Sequence, residues 1–242
     1  MSRSIEVNQN VVEMEYAVRG PIPQRAAELR AAGRKTIPCN IGNPQALGQE
    51  PLTYYRQILS LVEDPGGIRR ARALRRICDG NPDALVRLSL GVDLLPEAVV
   101  ERAEEILSRL ETGMGAYTES KGPLFVREAV ARYIDERDRP SSVDFVPADP
   151  DRIFLTNGAS EGAKHVIEML IASEQDGIMI PIPQYPLYSA AIRRCGGVQV
   201  SYYPEEEAGW LLRRPMLEEA YDGAVAEGVR VKGIVVINPG NP

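Results

Sequence analysis

The stretch "GIMIPIPQYPLYSAAIRRCGGVQVSYY", residues 177–203, decides the fold of this chain. It opens with an isoleucine-rich apolar run, passes through a proline-rich turn into a segment with helical apolar spacing, and ends in a second apolar run. Two short strands joined by a helix form a βαβ unit, in which the strands lie parallel to each other. The stretch therefore predicts an α/β protein.

The same alternation of strand and helix extends on both sides of this stretch. Strands are predicted at 152–156, 177–182, 197–203 and 231–237, and a helix is predicted between each pair. Two earlier helices are predicted to begin near Pro96 and Pro123. Because a parallel sheet is covered by helices on both faces, the pattern predicts a three-layer α/β/α architecture with a mainly parallel sheet.

The composition excludes several kinds of partner. Of the 242 residues, 44% are hydrophobic and the formal net charge is −6, so neither nucleic acid nor an anionic membrane is an expected partner. No apolar run is long enough for a signal peptide or a membrane span. The scattered Cys39, Cys78 and Cys195 form no CxxC pair, which favours a reducing, cytoplasmic location and no metal site. The arginines between residues 69 and 76 are interpreted as a solvated helix face, with a subunit contact as the alternative.

Ligands of parallel sheets bind outside the carboxyl ends of the strands, so the loops there are the candidate site. The first loop, "TNGASEGAKH" (156–165), leads into a helix whose free N–H groups favour a phosphate, with Ala159 allowing close approach and Ser160 offering a hydroxyl. Its spacing matches neither a P-loop nor a dinucleotide fingerprint. The alternative interpretation is an ordinary helix start capped by Ser160.

Two further loops carry a possible ring platform and an amide. Tyr185 lies between prolines after the second strand and is placed to stack on a flat ligand, or else it is a core tyrosine. Asn241 follows the last strand and offers an amide donor, or else it belongs to an Asn-Pro turn. A phosphate cradle, an aromatic platform and an amide donor at one edge together suit pyridoxal 5′-phosphate.

Three motifs resemble, in their order, those of the fold-type-I pyridoxal-phosphate aminotransferases of class I and II: "NGASEG", "PIPQYPLYSA" and "VVINPGNP". The stretches "IPCNIGNPQALGQEPLTYYRQILSL" and "GAYTESKGPLFVREAVARYI" are similar to alanine aminotransferases within that family. The resemblance runs from about Val11 to Pro242. It implies an N-terminal arm and part of a small domain in residues 1–92, and an incomplete cofactor-binding large domain in residues 93–242.

The resemblance also implies a role for each matching residue. Ala159 and Ser160 match the positions that bind the cofactor phosphate through a backbone N–H and a hydroxyl. Tyr185 matches the aromatic residue that stacks on the pyridine ring. Asn241 matches the asparagine of NPxNPTG that donates to the cofactor's O3′.

Two more matches concern the substrate and the second subunit. Gly42, in "NIGNP", matches a glycine whose backbone lies near the substrate carboxylate. Tyr117, in "GAYTESKG", matches a tyrosine that reaches the phosphate bound by the partner subunit. The resemblance therefore implies a homodimer with a shared active site, which transfers the amino group of L-alanine to 2-oxoglutarate.

No catalytic residue is expected within this chain. The family motif continues with Thr-Gly, and the resemblance implies that the Schiff-base lysine, the aspartate on the pyridine nitrogen and the substrate-binding arginine lie beyond Pro242. The C-terminal part is therefore expected to be absent, and the chain alone to be inactive. The alternatives are another fold-type-I enzyme, a lyase or synthase, and a non-catalytic fragment of the same fold.

Overall fold

A computed structural model describes residues 7–16, 20–37, 42, 44–79, 94–141 and 144–241. The chain divides into two compact units, residues 1–42 with 156–242 and residues 43–155. The predicted division at residue 92 concerns the domains of the whole enzyme and stays a prediction. Among the described residues, no helix is both long enough and apolar enough to cross a bilayer.

From residue 97 onward the helices and strands follow the predicted order, except for the first predicted strand. The helices are α1 Gln9–Val12, α2 Pro21–Ala31, α3 Tyr54–Glu63, α4 Gly66–Asp79, α5 Glu97–Arg109, α6 Leu124–Asp138, α7 Ala159–Leu170, α8 Leu187–Arg194 and α9 Arg214–Ala226. The strands are β1 Asp176–Pro181, β2 Val198–Tyr202 and β3 Arg230–Ile234. Single 3₁₀ turns lie at Pro44–Leu47, Arg139–Ser141, Pro150–Arg152 and Glu206–Ala208.

The first unit is built around a parallel sheet with β1 at its centre. Within the described residues the strand order is β2-β1-β3, and both pairs are parallel. Ile178 of β1 lies opposite Gln199 on one side and Gly233 on the other. Every residue of β1 is buried, as the apolar run from Gly177 to Pro181 predicts, and its first residue, Asp176, is the polar exception.

The two faces of β1 pack against different helices. Ile178 and Ile180 face one core cluster, which the helices α7 and α8 complete with Ile167, Ala191 and Ile192. Met179 points to the other face, where Val200, Tyr202 and Ala224 of α9 form a second cluster. Alternation along a strand sends neighbouring side chains to opposite faces. The predicted three-layer α/β/α arrangement is therefore confirmed.

The strand predicted at 152–156 is wrong. The segment begins with the Pro150–Arg152 turn, and the N–H of Leu155 donates to the carbonyl of Lys121, 2.9 Å away, instead of to a neighbouring strand. Apolar sequence alone does not make a strand, because a strand also needs a partner for its backbone groups. The last strand is shorter than predicted and ends at Ile234, although the Val235 N–H still donates to the Met179 carbonyl at 2.8 Å.

The second unit has a helical core of its own. Ile58, Leu61 and Val62 of α3 pack against Val99 and Val100 of α5. This packing follows the helical spacing of their apolar residues.

Part of the arginine run on α4 is not a freely solvated face. Arg72 forms ion pairs with Glu97 and Glu104 of α5, and Arg75 Nε lies 2.8 Å from Glu97 Oε2. The solvated interpretation is therefore wrong for Arg72 and Arg75, because acidic residues of a neighbouring helix pair with them.

A buried carboxylate closes the amino end of the sheet. Asp176, the first residue of β1, is fully buried and its Oδ2 accepts the N–H groups of Ala172 and Ser173 at 3.0 and 2.9 Å. Arg230 Nε donates to its Oδ1 at 3.0 Å, and Lys232 Nζ lies 3.7 Å from the same oxygen. Burial by itself raises the pKa of Asp176. The two N–H donors and the two cations outweigh burial and hold that pKa below its usual 3.8.

Replacing Asp176 with Asn should remove a pH-dependent part of the stability. A carboxyl whose pKa is lowered in the folded state stabilises the fold above its unfolded pKa of about 3.9, and the stabilisation is lost as the pH falls through the folded pKa. In urea unfolding, the difference in unfolding free energy between the protein and Asp176→Asn should be largest above about pH 5 and should shrink toward about pH 2. Asp222→Asn, at an exposed position of α9, is the matched control. A difference that stays constant across this range would contradict the prediction.

Candidate functional site

The N-terminus of α7 presents free hydrogen-bond donors. Gly158 precedes the helix with φ +82°, a conformation that glycine adopts without strain. Its carbonyl accepts the N–H groups of Glu161 and Gly162, while among the described residues nothing accepts the N–H groups of Ala159 and Ser160. Both residues are exposed. Free N–H groups at the positive end of a helix dipole suit an anion, so these residues fit a phosphate group.

Ser160 does not act as the helix cap. Gly158 occupies the cap position and has no side chain that could accept a hydrogen bond. Ser160 is the second residue of the helix. The Glu161 carboxylate accepts the Asn157 N–H at 2.5 Å and is engaged within the turn. Within the described residues the Ser160 hydroxyl makes no hydrogen bond, which is compatible with the phosphate interpretation.

Tyr185 lies where the chain leaves the carboxyl end of β1. It is half-buried, and its hydroxyl lies 2.5 Å from that of Tyr16, with the two rings edge to face at 82° and 6.1 Å between centroids. Sequence reasoning missed Tyr16, because no local pattern joins residues so far apart in the chain. The contact orients the ring and engages the hydroxyl of Tyr185, and it fits both the ring-platform and the core-tyrosine interpretation.

The segment that carries Tyr16 is itself attached to α8. Glu13 forms an ion pair with Arg193, and a Cβ added to Gly196 would lie 3.0 Å from the Asn10 amide nitrogen. Tyr16 also lines a cavity of about 410 Å³ between this segment, α7 and α8. The described segment from Asn10 to Tyr16 is therefore part of the support of Tyr185.

Asn241 borders a cavity at the same edge of the sheet. The cavity, of about 570 Å³, is lined by the ends of β1 and β2, by Trp210 and by the segment from Val236 to Asn241. Asn241 is exposed, and its side chain makes no hydrogen bond within the described residues.

The three candidate groups of the first unit belong to one edge of the sheet. Tyr185 follows β1 and Asn241 follows β3, and parallel strands end at the same edge. The helix α7 precedes β1 and packs on it through Ile167, so it runs back along the strand with Ser160 toward that edge. No hydrogen bond joins these residues to one another in the described chain. The cavity that Asn241 borders is lined by neither Tyr185 nor Ser160, so the three groups share an edge of the sheet and not one enclosed pocket.

Two further predictions concern Tyr117 and Gly42. Tyr117 is predicted to reach the cofactor phosphate bound by the partner subunit, and Gly42 to lie near the substrate carboxylate. Tyr117 belongs to the second unit and its side chain is fully exposed, at 105% of the reference area. Gly42 is exposed and has open space where a side chain would be. Their roles stay predictions.

A buried arginine, Arg127 of α6, holds the loop that carries Tyr117. It is 2% exposed, and its guanidinium donates to the carbonyls of Gly122 and Pro150 at 2.9 and 2.7 Å and to Glu119 at 2.6 Å. A buried guanidinium needs such partners, because its charge cannot be left without them. Sequence reasoning missed Arg127, because an arginine within an amphipathic helix normally faces the solvent.

Replacing Arg127 with Leu should loosen the Tyr117 loop. The Gly122 N–H donates to Glu119 and the Leu155 N–H to Lys121, so both amides report on the loop. We expect these two amides to exchange hydrogen at least about tenfold faster in Arg127→Leu, because local opening costs less once the buried donors are lost. Arg132→Leu, at an exposed position of the same helix, should exchange at the unaltered rate. Equal rates in both variants would show that Arg127 does not hold the loop.

The sequence predicts no Schiff-base lysine within this chain, and three of its four lysines have the following surroundings. Lys121 Nζ donates to the Asp151 carbonyl at 2.6 Å, Lys232 faces Asp176, and Lys164 lines the cavity beside Tyr16. Among the described residues, no three metal-binding side chains gather in one place.

Comparison with known proteins gives the chain its relatives. Residues 87–242 match the family model "Aminotransferase class I and II". The chain is 42% identical over 247 residues to the probable mitochondrial alanine aminotransferase of Dictyostelium discoideum, covering 97% of this chain and 42% of that protein. It is 41% identical to glutamate–glyoxylate aminotransferase 2 of Arabidopsis thaliana and 40% identical to alanine aminotransferase 1 of Homo sapiens, covering 98% of this chain and 44% of each. The chain spans less than half the length of these relatives.

Solved structures show the same fold. The alanine aminotransferase of Pyrococcus furiosus superposes with a TM-score of 0.60 at 21% identity, over 98% of this chain and 45% of that one. An aminotransferase of Escherichia coli superposes with a TM-score of 0.59 at 23% identity, over 99% of this chain and 44% of that one. The predicted fold-type-I architecture is confirmed.

Proposed function

The chain belongs to the class I and II aminotransferases, a family of pyridoxal-phosphate enzymes, and we propose that it holds the cofactor in an enzyme that transfers the amino group of L-alanine to 2-oxoglutarate. The observation that carries the proposal is that free N–H donors, an oriented tyrosine and a free amide lie on elements that end at the carboxyl edge of one sheet. The alanine aminotransferase relatives support the choice of L-alanine.

Each residue has a distinct task toward the cofactor in this proposal. The N–H groups of Ala159 and Ser160, with the Ser160 hydroxyl, bind the phosphate. Tyr185 stacks on the pyridine ring, and the Asn241 amide donates to O3′. When bound, the cofactor supplies an electron sink that acidifies the α-hydrogen of an amino acid. The lysine that holds the cofactor comes from outside residues 1–242 in this proposal.

The assembly and location are also proposed. Tyr117 is fully exposed, which suits a residue that acts in the site of a second copy, so the enzyme is a homodimer in this proposal. Gly42 lies beside the substrate carboxylate. The free Cys78 and Cys195 are compatible with a reducing compartment and support a cytoplasmic location, although some relatives bear mitochondrial names.

A second candidate reaction uses glutamate and glyoxylate. Two Arabidopsis relatives with that name are 41% identical to this chain, close to the identity of the alanine aminotransferases. The two reactions share the pair of glutamate and 2-oxoglutarate. They differ in the other pair, which is alanine with pyruvate in one and glycine with glyoxylate in the other, so substrate profiling separates them.

The enzyme, purified from its natural reading frame, should release pyruvate from L-alanine when 2-oxoglutarate is supplied. Faster turnover of glutamate with glyoxylate would favour the second reaction, and loss of amino groups without an oxo-acid acceptor would indicate a lyase. Borohydride reduction and peptide mapping should place the cofactor on a lysine outside residues 1–242. A label on Lys121 or Lys164 would overturn that assignment, and an enzyme that binds no cofactor would overturn the proposed function.

Replacing Ser160 with Ala should weaken cofactor binding. A hydrogen bond to a charged group contributes about 1.5–3 kcal/mol, so the dissociation constant for pyridoxal phosphate should rise about tenfold or more. Ser108→Ala is the control, because the Ser108 hydroxyl bonds only within its own helix, to the Glu105 carbonyl at 2.7 Å. If Ser160→Ala binds the cofactor as tightly as Ser108→Ala, the hydroxyl does not contact the phosphate.

A further inference from the structure

A buried tyrosine on β2 bonds across the end of the sheet. Tyr202 is 2% exposed, and its ring packs with Met179, Val200 and Ala224 on the α9 face. Its hydroxyl donates to the Val235 carbonyl at 2.6 Å. β1 lies between β2 and β3, so the side chain reaches past the end of the central strand to the chain that leaves β3.

Val235 is held through both of its backbone polar groups. Its N–H donates to the Met179 carbonyl of β1 at 2.8 Å, and its carbonyl accepts the Tyr202 hydroxyl. The bond to Met179 is the last one of the parallel ladder, beside the Met179–Ile234 pair, whereas the bond from Tyr202 lies outside the ladder. The two bonds together set the direction in which the chain leaves the sheet.

That segment leads directly to Asn241. The turn from Asn238 to Asn241 begins three residues after Val235, and the cavity at the carboxyl edge is lined by Tyr202 and by this turn together. Trp210 and Pro204 close the same cavity on the β2 side. The anchored residue and the amide therefore belong to one short stretch of chain along one cavity.

We propose that Tyr202 is a positioning residue for Asn241: by anchoring the Val235 carbonyl it places the Asn241 amide at the ligand's ring oxygen. The proposal rests on the proposed function, in which Asn241 donates to O3′ of the cofactor. Tyr202 itself contacts no reacting atom and acts through the path of the backbone.

The chemistry of the anchor requires a tyrosine. A phenylalanine would fill the same space in the core, but it would leave the Val235 carbonyl without its hydrogen-bond donor. The direction in which the chain leaves β3 would then be less well defined. The neighbouring Tyr203 offers a matched comparison, because it is 64% exposed and follows β2 immediately.

The test compares Tyr202→Phe with Tyr203→Phe in the cofactor-loaded enzyme. The first readout is the dissociation constant of pyridoxal phosphate, and the second is the pH midpoint at which the absorbance of the bound cofactor changes. An amide that donates to an ionised oxygen favours ionisation, so a misplaced Asn241 moves the midpoint to higher pH. From the usual net strength of one hydrogen bond, we expect a dissociation constant about two- to tenfold higher and a midpoint about 0.5–1 unit higher in Tyr202→Phe. Tyr203→Phe should match the unaltered enzyme in both.

A double-mutant cycle separates positioning from a general loss of packing. In an enzyme that already carries Asn241→Ala, the further change Tyr202→Phe should leave both the midpoint and the dissociation constant unaltered, since residues that act as one unit are not additive. An unchanged midpoint in Tyr202→Phe, or additive effects of the two substitutions, would overturn the positioning role. Failure of the unaltered enzyme to bind pyridoxal phosphate would instead overturn the proposed function.

Discussion

The complete burial of β1 is the constraint on which the first unit depends. A strand shielded at every residue must pair on both edges and be covered on both faces, and β2, β3, α7, α8 and α9 meet these needs. Parallel pairing in turn requires a crossover connection between successive strands, here a helix. The carboxyl ends of all the strands therefore lie at the same edge. The amino edge is closed by Asp176 and its donors, so the polar groups available to a ligand concentrate at the carboxyl edge.

Three of the proposed ligand-binding groups lie on segments that a second residue, remote in sequence or buried, holds in place. Tyr185 is held by Tyr16, the exit toward Asn241 by Tyr202, and, in the second unit, the loop of Tyr117 by Arg127. An exposed side chain on a loop loses little entropy on binding only if its backbone is already fixed. Buried polar groups fix a backbone strongly, because leaving one unpaired is costly.

Membership of the family and the identity of the substrate rest on different findings. Membership follows from the match over residues 87–242 and agrees with the fold of the solved structures. The relatives bear the names of two reactions at nearly equal identity, and this chain spans less than half of each relative. The parallel sheet and the helix α7 do not distinguish the alanine reaction from the glyoxylate reaction. The residues that choose between these substrates would contact the substrate at the reacting end of the cofactor, away from the residues proposed to bind its phosphate.

The sequence alone was enough to predict the fold class, the helices α5 to α9, the strands β1 and β2, and the loops that carry Ser160, Tyr185 and Asn241. These features depend on local periodicity and on turn chemistry, which are written in neighbouring residues. The three-dimensional structure was needed to show that 152–156 is not a strand and that Arg72 and Arg75 are paired. It was also needed to show that Tyr16 bonds to Tyr185, that Tyr202 bonds to Val235, and that Arg127 holds the Tyr117 loop within the second unit. Such contacts join residues up to 169 positions apart, and a hydrogen bond across that separation is set by how the layers pack and leaves no periodic trace in the chain.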